Sequence, residues 1–267
     1  MSLDIEFITF REYEGSIPEP QPAIKRFPEW FSQLKSPSKK SRCPFGFKSK
    51  NNPYDIELKD VDTTIKNCLG IQDFLKTGYI IPSWCHFIFR EDVNGGMYIN
   101  WVESPFPTSY HAHHLDTFKD IKNPPNYDSF HKIETPWIIK TRKGVSCLIT
   151  HPVWHRNNIF TTSTGIFHTD VSPLNIPWIF EYNQKINSGL SLDREDGFNP
   201  NIQVIEKDEP IMLIIPFLRK EFKSKVEYVD QCEFNRLGHT QLYQTHHGIN
   251  FESPYGKFRK KIGNLFR

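Results

Sequence analysis

The chain of 267 residues is nearly balanced in charge, with 33 Lys and Arg against 31 Asp and Glu. That balance argues against nucleic-acid binding by the chain as a whole, and the length fits one large β domain or two small ones. Hydrophobic residues make up 37% and aromatic residues 14%, so aromatic side chains must supply much of the buried area. The 20 prolines interrupt long helices and favour strands and turns.

The five cysteines indicate neither a disulfide framework nor a zinc knuckle, because their number is odd and no two have CxxC spacing. This pattern predicts a reducing, intracellular environment. The opening MSLDIEFITF is acidic and lacks the apolar run of a signal peptide. No segment reaches the ~18 apolar residues of a membrane span. The sequence therefore predicts a protein that is not secreted and has no membrane partner.

Residues 1–62 are predicted to form an N-terminal extension. DIEFITFRE alternates as a strand does, and FPEWFSQLK predicts a short helix with Pro28 in its first turn. The basic, turn-rich stretch 36–53 predicts a loop that covers a site or contacts a partner. Residues 62–78 then show helical spacing, with Gly78 at the place of a C-cap.

Residues 63–222 are predicted to form the β core. YIIPSWCHFIFRED and MYINWVE, on either side of VNGG, predict a hairpin. PWIIKT with VSCLIT, and NIQVIEK with IMLIIPFLR, predict two more. The run from Ile211 to Phe217 is apolar at odd and even positions alike, which predicts a strand buried on both faces. Together these patterns predict a mainly β fold, a jelly-roll β-sandwich of cupin-like shape.

Residues 223–267 are predicted to form a helical, basic tail, and the helical pattern starts at RKEFKSKVEYVDQCEFNRL. Four cations stand close together near its end: Lys257, Arg259, Lys260 and Lys261. They would contact nucleic acid or an acidic protein face. The alternative is the solvated face of a docked helix.

Four segments occur in the order typical of one family: TIKNCLGIQDFLKTGYIIP, PWIIKTRKGVSCLITHP, TGIFHTDVSPLNIPWIF and EKDEPIMLIIPFLRKEF. Over about residues 64–222 the chain resembles an uncharacterised family of β-rich proteins common in marine tailed phages and some bacteria. It departs from the family pattern at Leu69, where a proline is usual, and at Leu213, where a glutamine is usual. The family has no established activity. The resemblance implies a phage origin, the host-cell cytoplasm as location, and a cupin-like or jelly-roll architecture.

The stretch SYHAHHLDTF (109–118) is a candidate metal motif. On a strand, His111 and His113 share a face and lie about 7 Å apart, within reach of one divalent metal ion such as iron or zinc. A third ligand would have to come from a neighbouring strand. The available ones are His151, His155, His168 and Asp170. The glutamate and glycines of a cupin motif are absent, so a polar, solvated strand is the alternative.

The triplet HTD offers a second metal motif, because His168 and Asp170 put an imidazole and a carboxylate on one face. This is the start of the 2-His-1-carboxylate site of non-haem iron oxygenases. The remaining residues of such a site would be His246 or His247 as the distal histidine, and Lys257 or Arg259 to bind 2-oxoglutarate. The competing interpretation is a chance match in a chain with 11 His.

The loop THPVWHRNN (150–158) is a candidate ligand-binding surface. It groups His151, Trp154, His155 and Arg156 directly after a predicted strand. Polar and aromatic groups on a loop over a β scaffold often bind ligands. The alternative is a turn in which Trp154 packs against the core.

Arg219 follows the most apolar strand of the chain. Its guanidinium would bind a ligand carboxylate or phosphate in bidentate fashion, or it would pair with an acid such as Asp170 or Glu221 and serve the structure.

Two function classes follow. The first is a jelly-roll protein that binds a small ligand or a metal, with a non-haem iron and 2-oxoglutarate oxygenase as its most specific form. The second is a non-catalytic phage interaction or virion-associated module. Its partner would be a phage or host protein, contacted through the 36–53 loop and the basic tail.

Overall fold

The computed structural model describes residues 5–34, 65–91, 97–114, 129–173, 175–183 and 202–234. The chain divides into two compact units, one of residues 1–29 with 74–220 and one of residues 30–73 with 221–267. The strands described below all belong to the first unit. The described α-helices of five or more residues are α1, Glu29–Gln33, and α2, Leu69–Phe74. Neither they nor residues 231–234, which are also helical, are long and apolar enough to span a membrane.

The strands form three antiparallel sheets. In chain order they are β1 Ile5–Ile8, β2 Gln21–Pro22, β3 Tyr79–Pro82, β4 His86–Glu91, β5 Met97–Val102, β6 Tyr110–His114, β7 Ser129–Thr141, β8 Val145–Thr150, β9 Phe160–Thr162, β10 Gly165–Phe167, β11 Asn175–Tyr182, β12 Ile202–Ile205 and β13 Pro210–Leu218. The first sheet has the order β1-β7-β11-β9, with β6 also paired to β7. The second has the order β10-β8-β13-β3-β2, and the third β12-β4-β5.

One aromatic core lies between the sheets. Trp178 on β11 stacks on Phe180 with ring centroids 4.0 Å apart. Phe160 on β9 packs edge-on against Trp178 with centroids 5.0 Å apart, and the tilted ring of Phe87 on β4 lies 5.4 Å from it. Ile211 on β13 belongs to the same cluster and is fully buried. The prediction that aromatic residues supply the core is therefore confirmed.

The connectivity is that of a jelly roll. From β7 to β11, consecutive strands alternate between the first and the second sheet, so the chain crosses the core at every connection. The prediction of a mainly β sandwich of jelly-roll type is confirmed. The strand predicted to be buried on both faces is central in the second sheet, between β8 and β3. Ile211 to Ile214 are at most 2% exposed, whereas residues 215–217 are half-buried.

Of the three predicted hairpins, one forms. β4 and β5 pair from His86 opposite Val102 to Glu91 opposite Met97, and the Asn-Gly loop between them lies outside the described residues. The hairpins of β7 with β8 and of β12 with β13 were wrongly predicted, because the strands of each pair belong to different sheets. Instead β8 pairs with β13 and β10, and β12 pairs with β4. A strand and turn pattern shows where the chain reverses, but it does not show which strand becomes the neighbour.

The predicted helices are realised in part. The helical pattern at 62–78 appears as a 3-10 turn, Ile65–Asn67, and α2, with residues 62–64 outside the described range. The helix predicted from Arg219 is wrong for residues 219–230, which have no regular secondary structure and are exposed. Short helices form mainly by packing an apolar face, and here Phe222 and Tyr228 are 90% and 95% exposed. The 36–53 loop and residues 235–267 of the basic tail lie outside the described residues.

Gly78, in the turn before β3, allows the backbone of that turn to approach β13. Its φ is +80°, and a Cβ there would overlap the carbonyl oxygen of Ile214. We predict that Gly78→Ala lowers the free energy of unfolding by about 3 kcal/mol or more, because left-handed alanine is strained and β13 must also move. Gly15→Ala is the control, since Gly15 has φ +73° and no atom within 4 Å of the added Cβ. It should cost only about 1 kcal/mol. If urea denaturation showed the same loss of unfolding free energy for both variants, the close approach of the Gly78 turn to β13 would be contradicted.

Candidate functional site

The core holds His151 in place at the end of β8. Its Nδ1 accepts a hydrogen bond from the Thr162 N–H at 3.2 Å, and its ring packs edge-on against Phe160 with centroids 5.3 Å apart. The side chain of His151 is buried, with 9% of the residue exposed. Because Nδ1 is an acceptor, the neutral ring carries its proton on Nε2.

A 3-10 turn, Val153–His155, returns the chain so that a second imidazole lies near the first. Burial lowers the pKa of both His151 and His155 to about 4, and the charge of Arg26 and then His151 itself further lower the pKa of His155. Both rings are therefore neutral at pH 7. In the part of the chain that the structure describes, the ring of His155 has no hydrogen-bond partner.

The turn between β12 and β13 contributes the acids beside this loop. Arg26 Nη1 donates to the Asp208 carboxylate at 2.9 Å, and Arg26 Nη2 donates to the Asp208 carbonyl oxygen. Asn157 Nδ2 lies 3.5 Å from Glu209 Oε2, and burial followed by the charge of Glu206 raises the pKa of Glu209. The histidine site is defined here as Arg26, His151, His155, Asn157 and Glu209.

Residues with a strained backbone lie next to the residues whose pKa values are shifted. Arg156, directly after the turn, has φ 56°, and Asp208 has φ 75°. They are two of the three non-glycine residues with positive φ in the described ranges, the third being Glu103. Strained backbone and perturbed pKa values concentrate at functional sites. This coincidence makes the histidine site the best candidate in the first unit.

Arg219 and Asp170 form an ion pair. Arg219 Nη1 and Nη2 donate to the two Asp170 oxygens at 2.6 and 2.5 Å, and the Gly144 N–H donates to Asp170 Oδ2 at 2.8 Å. Arg219 Nη1 also donates to Ser146 Oγ, which lies 2.8 Å from His168 Nδ1. The hydrogen bonds from Arg219, and then the one from Gly144, hold the pKa of Asp170 far below its usual range. Of the two roles predicted for Arg219, pairing with Asp170 is confirmed.

His111 lies on the outer face of its strand. Tyr110 is opposite the buried Ile133 and therefore faces the core, so His111, opposite Lys132, faces away. His111 is exposed, and its Nε2 lies 3.0 Å from Ser109 Oγ. The backbone of His113 is opposite Phe130, and its side chain lies outside the described part.

The buried histidine of this strand pair is His131, which the sequence analysis did not single out. Tyr110 Oη lies 2.8 Å from His131 Nδ1, and burial lowers the pKa of His131 to about 4.

Within the described residues, no group of three or more His, Cys, Asp and Glu side chains is arranged to hold a metal ion. The remaining predicted residues lie outside the described ranges: His246, His247, Lys257, Arg259, Lys260 and Lys261. The oxygenase site and the nucleic-acid contact of the tail therefore stay predictions.

Sequence reasoning identified three of the five residues of the histidine site. His151, His155 and Asn157 belong to the predicted loop, in which Trp154 is half-buried. Arg26 and Glu209 were missed, because each is far from the loop in sequence. The only local signal was the turn KDEP, which marks a chain reversal.

No known protein-family model matches the chain, and no curated protein does. Among solved structures, a mutant dUTPase from phage phi11 of S. aureus has a TM-score of 0.28 at 10% identity, covering 58% of this chain and 85% of its own. A mutant dUTPase of Staphylococcus bacteriophage 80alpha with dUpNHpp has a TM-score of 0.27 at 14% identity, covering 74% of this chain and 91% of its own. At these scores neither superposition bears on function.

The Arg219–Asp170 pair predicts a specific pH dependence of stability. Because the pKa of Asp170 is lowered in the folded protein, its contribution is present above the unfolded value of about 3.9 and is lost as the pH falls below it. We expect Asp170→Asn to melt at a lower temperature than the unmodified protein at pH 7, and the difference to shrink below about pH 4. Glu221→Gln is the control, an exposed acid without this pairing. A difference in melting temperature that stays constant from pH 7 to pH 3 would contradict the pairing of Asp170 with Arg219.

Proposed function

We propose that this jelly-roll protein binds a small ligand, and that the histidine site is where it binds. The observation that supports this most directly is the His155 imidazole, which is neutral, half-buried and without a hydrogen-bond partner in the described chain. The two nitrogens of this neutral ring offer a ligand one hydrogen-bond donor and one acceptor.

The ligand that fits best is a small anion with a carboxylate or phosphate group. Arg26 supplies a positive charge, and within the described residues its guanidinium donates only two hydrogen bonds, both to Asp208. His151 presents an Nε2–H, since its Nδ1 is already an acceptor. A carboxylate or phosphate oxygen would gain charge-assisted hydrogen bonds from these donors.

Anion binding at this site should be linked to proton uptake. The pKa of His155 is about 4 in the free protein, and a bound negative charge would raise it. Protons would then be taken up on binding between about pH 4 and pH 7, so affinity should increase as the pH falls through that range.

We predict that titration with inorganic phosphate or citrate shifts the His155 ring signals saturably in an NMR spectrum, and more strongly at pH 5.5 than at pH 7.5. Arg26→Gln should weaken binding about tenfold or more, because it removes a charge-assisted hydrogen bond. His155→Gln should remove the pH dependence. The matched control is His111→Gln, which changes an exposed histidine on the outer face of β6. Equal shifts at His111 and His155, or an affinity independent of pH, would contradict the proposal.

The metal-dependent alternative has weaker support, because Arg219 and Gly144 already occupy the Asp170 carboxylate. We expect protein purified without a His tag, and then reconstituted with iron, zinc, manganese or nickel, to retain less than about a tenth of an equivalent. This follows from the ion pair, which competes with a metal for Asp170. Elemental analysis provides the measurement. Stoichiometric metal that is lost in Asp170→Ala would instead support the oxygenase hypothesis.

A second candidate function is a non-catalytic phage interaction or virion-associated module. It is favoured by residues 219–230, where Phe222 and Tyr228 are almost fully exposed on a segment without regular secondary structure. Large exposed apolar side chains often mark contact surfaces. Isolation of a complex with another protein at a defined stoichiometry would support this function.

A further inference from the structure

A groove of about 690 Å³ lies along the first strand of the chain. Its walls are β1, the residues that follow β1 as far as Pro20, and Trp137 of β7. This is named the β1 groove. It shares no residue with the histidine site.

The groove runs along an edge of β1. Residues 5–9 all line it in succession. Successive side chains of a strand point to opposite faces, so a groove on one face would touch only every second residue. One edge of β1 pairs with β7, from Ile5 opposite Thr141 to Ile8 opposite Ile138. Among the described strands β1 has no second partner, and its other edge offers unpaired backbone N–H and C=O groups.

Two polar side-chain atoms at the groove are buried without a hydrogen-bond partner among the described residues. They are the hydroxyl oxygen of Thr9 and Nε1 of Trp137, a residue that is 6% exposed. Buried polar atoms without a partner are uncommon in folded proteins. An indole N–H can only donate, so its missing partner is an acceptor such as a peptide carbonyl.

The charge and polarity of the groove indicate the chemistry of its occupant. Glu6, Glu14 and Glu19 line it, against one cation, Arg11. Glu14 and Glu19 are exposed and have no ion-pair partner in the described part of the chain. Beside them Phe10 is 64% exposed. An occupant with cationic and apolar side chains would complement both features.

We propose that the β1 groove is a docking site for an extended, basic peptide segment of a partner protein, which adds as a strand to the free edge of β1. The peptide backbone would pair with β1, one of its carbonyl groups would accept the hydrogen bond of Trp137 Nε1, and its Lys or Arg side chains would approach Glu14 and Glu19. Strand addition of this kind takes affinity from the backbone and specificity from alternate side chains.

Fluorescence anisotropy of labelled eight-residue peptides, measured on the full chain, tests the proposal. A peptide of alternating Lys and Val should bind saturably, and more weakly as salt is added. Two probes separate the contributions to binding. A peptide of alternating Glu and Val has the wrong charge, and a Lys and Val peptide N-methylated at every second residue cannot pair as a strand. Both should fail to bind.

Matched variants locate the site. Glu14→Gln with Glu19→Gln should weaken binding about threefold to tenfold, because two charge contacts are lost. The control pair, Glu221→Gln with Glu227→Gln, removes the same charge outside the groove and should leave affinity unchanged. Trp137→Phe removes the indole N–H, and about a fivefold loss is expected from one hydrogen bond. The proposal is overturned if the Lys and Val peptide does not bind, if the acidic or N-methylated peptide binds as well, or if both pairs of variants lose affinity equally.

Discussion

Thr162 connects the aromatic core, the two five-stranded sheets and the histidine site through three hydrogen bonds. Its hydroxyl accepts from Trp178 Nε1 at 3.1 Å and donates to the Ile211 carbonyl oxygen at 2.6 Å, while its backbone N–H donates to His151. Each of these groups is buried, where a donor or acceptor left without its partner costs about 1–3 kcal/mol. A valine would keep the shape of the side chain but would leave two of these groups unpaired. The position of His151 therefore depends on the packing of Trp178, even though His151 itself lies at the end of β8.

The sequence predicted the strands better than their partners. The period-2 patterns and turn residues of β4 and β5 are adjacent in the chain, and that hairpin forms. The patterns of β7 and β8 are equally clear, but these strands belong to different sheets, because β8 pairs with β13, more than sixty residues later. The hydrophobic pattern of a strand indicates which side chains are buried, and the turn residues indicate where the chain reverses. Which strands pair is decided by packing between residues far apart in the sequence. In the stretch after β13 the helical spacing was misleading, because its apolar residues Phe222 and Tyr228 stay exposed and residues 219–230 form no helix.

The candidate site shows the same limit at the level of single residues. The histidines and tryptophan within residues 150–158 were enough to predict a site there. Arg26, whose charge lowers the pKa of His155, and Glu209, which lies beside Asn157, come from distant parts of the sequence. No periodicity links those residues to the loop. At His111 the pattern predicted that two imidazoles share a face, and only the register with β7, in which Tyr110 faces the core, shows which face His111 takes. Arg219 was better predicted, since a cation directly after a buried strand must find an acid or water close by.

Buried histidines and the paired Asp170 both lower the stability of the protein as they take up protons, but they do so in different pH ranges. Three histidines, His131, His151 and His155, have a pKa of about 4 in the folded protein because they are buried. In the unfolded chain their pKa is about 6.5, so the unfolded state binds more protons between these values and stability falls as the pH drops from about 6.5 to about 4. The contribution of Asp170 to stability is lost only below about pH 3.9. An anion bound beside His155 would raise its folded pKa and so oppose the first loss, but it would leave the second unchanged. The pH range in which a ligand stabilises the protein thus distinguishes binding at the histidine site from binding elsewhere on the molecule.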